Sequence, residues 1–145
     1  MMPKIQFDIH LFSNSSDTER SRKCLLWLLE SLVQVDLTWL LGHKVPALYN
    51  TDILYKTERG TAIWKDISSV MRDKSGNCKD LATWRIAELR NIGINAKPYI
   101  KWQDGKGITM FHAVVLLPNG LIEDPSRALG MSDHPVTRMP VYIEP

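Results

Sequence analysis

Thr109-Met110-Phe111-His112-Ala113-Val114-Val115-Leu116-Leu117-Pro118-Asn119-Gly120-Leu121-Ile122-Glu123-Asp124-Pro125-Ser126 reads as two strands joined by a turn. The apolar run over 109–117 suits a buried strand, and 121–124 suits a shorter partner. Between them, Pro118-Asn119-Gly120 fits a three-residue hairpin loop. Proline suits the first turn position, asparagine the second, and glycine the left-handed site. That loop pairs Leu117 with Leu121, so Val114 lies opposite Asp124 and His112 opposite Ser126. Side chains alternate faces along a strand. His112 and Asp124 therefore become diagonal neighbours on one face, about 7 Å apart between backbones and within side-chain reach. A two-residue Asn-Gly loop would place them on opposite faces, so the pairing depends on loop length.

Upstream, Ser75-Gly76-Asn77 is a turn signal. A helix is predicted from Cys78 to about Asn91, ending at Gly93, with a stripe of Ala82, Ile86 and Leu89 in line with Cys78. The thiol then sits at a turn-to-helix junction, where the macrodipole and free N–H groups favour negative charge. Lys79 is adjacent and adds to that field. The same N–H groups suit an oxyanion. Each residue also has a structural reading: a packed cysteine, a core histidine, a turn aspartate before proline. A thiol at a helix start, facing an imidazole held by a carboxylate, is a nucleophile–base–orienter arrangement.

The rest of the chain supplies a frame. Residues 4–12 alternate (Ile5, Phe7, Ile9, Leu11) as a strand would. After the cap-rich stretch Ser13 to Asp17, dense apolar spacing predicts a long helix over 18–41, with Glu30 and Asp36 on a polar face. Gly42 closes it and Pro46 follows. Residues 43–60, with Tyr49 and Tyr55, read as a connection. A short helix is predicted over 61–72, carrying Trp64, Ile67 and Val70. Further strands are predicted at 95–102 and at 141–143. Without repeats or low-complexity tracts, residues 1–145 read as one α+β domain, its motif-bearing core spanning 78–131.

Hydrophobic residues make up 44% and charged residues 23%, which argues against disorder. Lysine plus arginine number 18 against 16 acids, too balanced for a nucleic-acid or anionic-membrane binder. The longest apolar run is six residues, Cys24 to Leu29, from which no bilayer-spanning segment is expected. The N-terminus lacks a signal-peptide pattern. Two cysteines in unlike contexts, Cys24 and Cys78, point to a reducing, cytoplasmic setting without a disulfide framework. Cys24, opening the apolar run of the long helix, is expected to be buried and quiet.

Gly76-Asn77-Cys78-Lys79-Asp80-Leu81-Ala82 resembles the Gly-x-Cys-x-Asp-x-Ala signature of the transglutaminase-like superfamily. Phe111-His112-Ala113-Val114-Val115 resembles its histidine strand, and Ile122-Glu123-Asp124-Pro125-Ser126 its Asp-Pro-Ser/Thr element. The family often has aspartate where Asn77 stands. Trp84 to Arg90, Asp124 to Met131, and Pro46 to Tyr49 through Trp64 further resemble small transglutaminase-like proteins of tailed bacteriophages and prophages. The likeness covers roughly residues 25–131.

This resemblance implies a papain-like core, with a catalytic helix packed on an antiparallel sheet and preceded by the long helix. Cys78 would attack an amide carbonyl, His112 would shuttle the proton and Asp124 would orient the ring. The thioester would pass to water, as in a peptidase or amidase, or to an amine, as in a transglutaminase. The Cys78 backbone N–H would be the first oxyanion donor. Trp64 is a candidate for the second through its indole, with core packing as its alternative. Asn77, Asp80 and Arg127 would support the site: Asp80, two residues into the helix, supports its N-terminus electrostatically, and Arg127 either binds Asp80 or a substrate carboxylate or is a surface arginine, the safer reading. The implied partners are a protein or peptide substrate, with phage structural or host proteins, in the host cytoplasm or on the virion. No cofactor is expected. The alternative is a catalytically silent fold serving in phage structure, assembly or host interaction.

Other motifs are weaker. His10, His43 and His134 lack metal-ligand spacing, so no metal is expected. No phosphate-binding glycine loop occurs. Tyr99 and Trp102 among the lysines of 97–106 offer a stacking surface that Asp104 dilutes.

Overall fold

The helix α3 (Cys78–Asn91) is delimited by chemistry that its own sequence carries. Asn77 is its N-cap, and the Asn77 backbone N–H donates to Asp80 Oδ2 at 3.1 Å, one half of a capping box. At the other end Gly93 adopts φ +90°, which lets the Ile94 N–H reach back to the Leu89 carbonyl at 2.9 Å. The computed structural model describes residues 18–57, 63–105 and 108–131. The predicted strands at 4–12 and 141–143 lie outside these, as do His10 and His134.

Around α3 are α1 (Thr18–Gly42), a 3-10 turn (Leu48–Asn50), β1 (Leu54–Tyr55), α2 (Ile67–Asp73) and β2 (Ser75–Gly76). After it come β3 (Lys97–Gly105), β4 (Ile108–Leu116), β5 (Ile122–Glu123) and α4 (Pro125–Ala128). The last three strands form an antiparallel sheet in the order β3-β4-β5. Helices thus pack on a small antiparallel sheet in a mixed α/β arrangement. Ala82, Ile86, Ala87 and Leu89 of α3 share a core with Ile100, Ala113 and Val115 of the sheet and Leu29 and Val33 of α1. A second cluster joins Leu81 and Trp84 to Leu48, Ile53, Ile67, Val70 and Leu129.

The hairpin register agrees with the three-residue loop. Val115 pairs with Glu123 and Leu116 with Ile122. The Leu117 N–H donates to the Leu121 carbonyl at 2.9 Å, and Gly120 takes φ +87°.

Several expectations are corrected. The short helix begins at Ile67, because the Asp66 carboxylate caps it by accepting from the Ser69 N–H at 2.9 Å. Trp64 therefore precedes the helix. Ser75-Gly76 is a short strand, pairing in parallel with Leu54-Tyr55 of the stretch read as a connection. A Cβ on Gly76 would come 3.1 Å from the Asp80 Cβ and 3.3 Å from Leu81 Cδ2, so a larger residue under the helix start would have to push these side chains back.

Glu30 and Asp36 do not form a polar face on α1. Glu30 makes a two-pronged ion pair with Arg90 of α3, at 2.5 and 3.0 Å. Asp36 is 0% exposed and accepts the Ile67 N–H at 2.9 Å, completing the N-terminus of α2. Apolar side chains are too many for one face of α1, and Trp27, Val35 and Leu41 stay exposed. Cys24 is half-buried rather than buried. Contrary to the expectation from unbroken runs, Glu19–Gly42 contains a stretch long and apolar enough to cross a bilayer by length and composition alone. Its polar residues are spread thinly enough for a window to average them out, which a search for unbroken runs overlooks. In the structure the helix packs on α3 through Leu29, Val33 and the Glu30–Arg90 pair.

Candidate active site

Three short local devices converge at one end of α3. Cys78 is the first residue of the helix. His112 is buried on β4, the central strand of the sheet. Asp124 follows β5 and is the N-cap of α4, with Pro125 at the first helical position. The structure brings all three side chains together. His112 Nε2 lies 2.8 Å from Asp124 Oδ2, and the other carboxylate oxygen accepts the Arg127 N–H at 3.4 Å. The Cys78 thiol lies close enough to the ring to act on its charge. Since Nε2 is engaged by Asp124, Nδ1 is the nitrogen that faces the sulfur.

The electrostatics follow from this geometry. Burial works against a charge on His112. The hydrogen bond to Asp124, the Cys78 thiol beside the ring and the negative charge of both outweigh it and push the imidazole up to about 9. At neutral pH the ring therefore carries a proton, and each nitrogen donates.

The supporting residues hold the start of α3 and the segments beside it. Lys79 turns away from a role beside the thiol: its ammonium donates to the Ile63 carbonyl at 2.7 Å and Asn77 Oδ1 at 2.9 Å. It also pairs with Asp80 at 3.4 Å. Asp80 is fully buried and fastens the segment before α2 by accepting the Lys65 N–H at 2.9 Å. Burial pushes its carboxyl up, against the Lys79 charge and two backbone donors. Trp64 is half-buried beside the core that includes Cys78, with the Lys79 ammonium 5.6 Å from its ring centre. Arg127 is exposed on α4. Among the described residues no group of three His, Cys, Asp or Glu is placed to hold a metal.

Behind the site, Arg85 of α3 grips Glu123, the neighbour of Asp124, at 2.6 and 3.3 Å, and Glu88 at 2.8 Å. Tyr49 donates to the same Glu123 carboxylate at 2.6 Å. This network locks β5 against the helix that carries Cys78.

Two nearby residues escaped the sequence reading. Tyr55 pairs with Gly76, two residues before Cys78, and its N–H donates to the Leu129 carbonyl just beyond α4. Burial raises its phenol, and the negative charges of Cys78 and Asp124 raise it further. Lys101 stands directly across from His112 in the β3–β4 register. Asp104-Gly105-Lys106-Gly107 in the sequence was the available signal, since such residues favour a turn.

The chain matches no family model and no curated protein. A solved structure to which it is similar is that of a "putative cysteine protease" from Cytophaga hutchinsonii, at 19% identity and a TM-score of 0.41. The match covers 82% of this chain and 41% of that one. This chain thus spans less than half the length of that protein.

Proposed function

We propose that this protein is a cysteine-dependent enzyme that opens amide bonds through a thioester on Cys78, on a transglutaminase-like core. The observation that carries the reading is the His112 ring held between Asp124, at 2.8 Å, and Cys78. In the first step the Cys78 thiolate attacks the amide carbonyl carbon and a C–S bond forms. The Cys78 N–H, at the start of α3, is aimed to stabilise the oxyanion. His112 delivers its Nδ1 proton to the amide nitrogen, the C–N bond breaks and the amine leaves. Water, deprotonated at the same nitrogen, then attacks the thioester and releases the acid and the thiolate. An amine in place of water would give transamidation; hydrolysis is the simpler reading because it needs no second substrate.

Asp124 keeps the ring in the orientation that serves both steps, and Arg85 keeps Asp124 in place through Glu123. Trp64 remains a proposal as second oxyanion donor. The association with tailed phages and a peptide or protein substrate rest on the motif resemblance over residues 25–131, and a cytoplasmic site of action rests on the two cysteines in unlike contexts. The test is labelling with a thiol-directed amide mimic. Cys78, and not Cys24, should be modified, and His112→Ala should abolish the reaction. Equal labelling of both cysteines, or labelling indifferent to His112, would leave a binding or structural role as the better reading.

A further inference from the structure

Resting on that reading, we propose that Lys101 selects the substrate: its ammonium receives a carboxylate carried by the amine half of the amide, beside the bond that is cut. Lys101 and His112 are direct cross-strand partners, so their side chains share a face of the sheet with Cβ atoms about 4.5–5.5 Å apart. The β4–β5 register places Asp124 on that same face, on the opposite flank of His112. His112 thus has the carboxylate that orients it on one side and a lysine on the other. The proton that His112 donates goes to the departing nitrogen, so the leaving amine sits over the ring, next to Lys101.

The lysine's own surroundings point to an anion. It is half-buried, yet it makes no ion pair or hydrogen bond among the described residues. Buried charges are ordinarily paired. Burial lowers the Lys101 ammonium; the Asp124 charge supports it, while Arg127 acts against it as a second cation within electrostatic reach. Asp124 is a shared counterion, because its single charge is set against the protonated His112 ring that Oδ2 bonds, while Oδ1 accepts the Arg127 N–H. A substrate carboxylate would supply the missing negative charge. The competing role, a lysine stem merely covering apolar surface, would be satisfied by methionine.

Matched alkylating agents separate the possibilities without a known substrate. N-iodoacetylglycine and N-iodoacetylglycinamide differ only in a free α-carboxylate. The α-amides of N-iodoacetyl-aspartate and N-iodoacetyl-asparagine differ only in a side-chain carboxylate. The rate of Cys78 modification is followed by mass spectrometry of the intact chain and its peptides. In at least one pair the acid should react roughly fivefold faster than its amide, the scale of a single partly exposed ion pair, and the pair that responds identifies the source of the carboxylate. Lys101→Met should bring that ratio to about one and Lys101→Arg should restore it, each with an unchanged circular dichroism spectrum. Acid and amide reacting alike in both pairs, or a preference that survives in Lys101→Met, would overturn the assignment while leaving Cys78 as nucleophile. A Cys78 that reacts with neither member of any pair would overturn this inference together with the catalytic reading.

Discussion

Replacing Asp36 by asparagine should make the protein more stable at neutral and alkaline pH. Asp36 is fully buried between α1, α2 and α3. Oδ1 accepts the Ile67 N–H, whereas Oδ2 is buried with no hydrogen-bond partner. The Thr83 hydroxyl lies alongside but is turned to the Lys79 carbonyl at 2.9 Å. Burial pushes the carboxyl up to about 7, and the Asp66 and Asp80 charges assist; the Ile67 N–H, with the nearby Thr83 hydroxyl, pulls it back only in part. In the unfolded chain the group titrates at its ordinary value, 3.8. Between those values the folded state binds the extra proton, so stability falls as pH rises and levels off above about 7. A gap of about three pK units corresponds to about 4 kcal/mol at roughly 1.4 kcal/mol per unit. Asparagine keeps the acceptor for Ile67 and never ionises. Urea unfolding followed by tryptophan fluorescence at pH 4.5 to 8.5 measures the effect, as the difference between wild type and Asp36→Asn. That difference should be small near pH 4.5 and grow to a few kcal/mol in favour of the variant by pH 8. Taking the difference removes other titrations, such as that of His112, whose raised value adds stability that is lost as pH climbs from 6.5 to about 9. Parallel pH curves for the two proteins would refute the reasoning.

Three further outcomes are expected. Asp124→Asn should leave the circular dichroism spectrum unchanged but slow acyl-enzyme formation by on the order of 10⁴, by analogy with the orienting aspartate of serine proteases. In the wild type, acylation should decline above about pH 9, where His112 loses the proton it must donate; in Asp124→Asn that limb should move to lower pH. Gly76→Ala should cost about 1–3 kcal/mol in thermal or urea unfolding, since its methyl must displace Asp80 or Leu81 at the start of α3. Arg85→Met should cost about 2 kcal/mol, because Glu123 loses its main charged partner in a half-buried setting, and turnover should fall with it as β5 loosens; full activity in this variant would show that β5 needs no such anchor.

The parts of this molecule that were legible in the sequence are those positioned by local rules. The loop Pro118-Asn119-Gly120 sets a register over a few residues, and that register alone places His112 and Asp124 on one face. The start of α3 is written in Asn77 and Asp80, and its end in Gly93. What was not legible depends on partners distant in sequence. Asp36 and Glu30 look like surface charges until residues 31 and 60 positions away complete their contacts. Lys79, beside the thiol in sequence, is drawn off by the Ile63 carbonyl and Asn77. Lys101 gains meaning only once β3 is aligned on β4.

The same contrast bears on how the site is built. Two of the three central side chains sit at the end of an element, Cys78 at a helix start and Asp124 at a one-turn helix cap, while His112 stands mid-strand on β4. The two end positions satisfy backbone groups of their own helices locally, and His112 is held by the ladder of its sheet. Long-range contacts do a different task. Arg85, Glu123 and Tyr49 fix β5 to α3, and Asp80 fixes the segment around Trp64 to the same helix, so the distances between the three side chains depend on partly buried polar contacts rather than on apolar packing alone. Directional contacts of this kind specify one relative placement, whereas apolar surfaces tolerate sliding. The site should therefore lose precision before the protein loses its fold: substitutions at Arg85 or Asp80 are expected to reduce the reactivity of Cys78 at temperatures where the circular dichroism spectrum is still native. If reactivity and secondary structure are lost together in both variants, the polar anchors serve the fold as a whole and not the alignment of Cys78, His112 and Asp124.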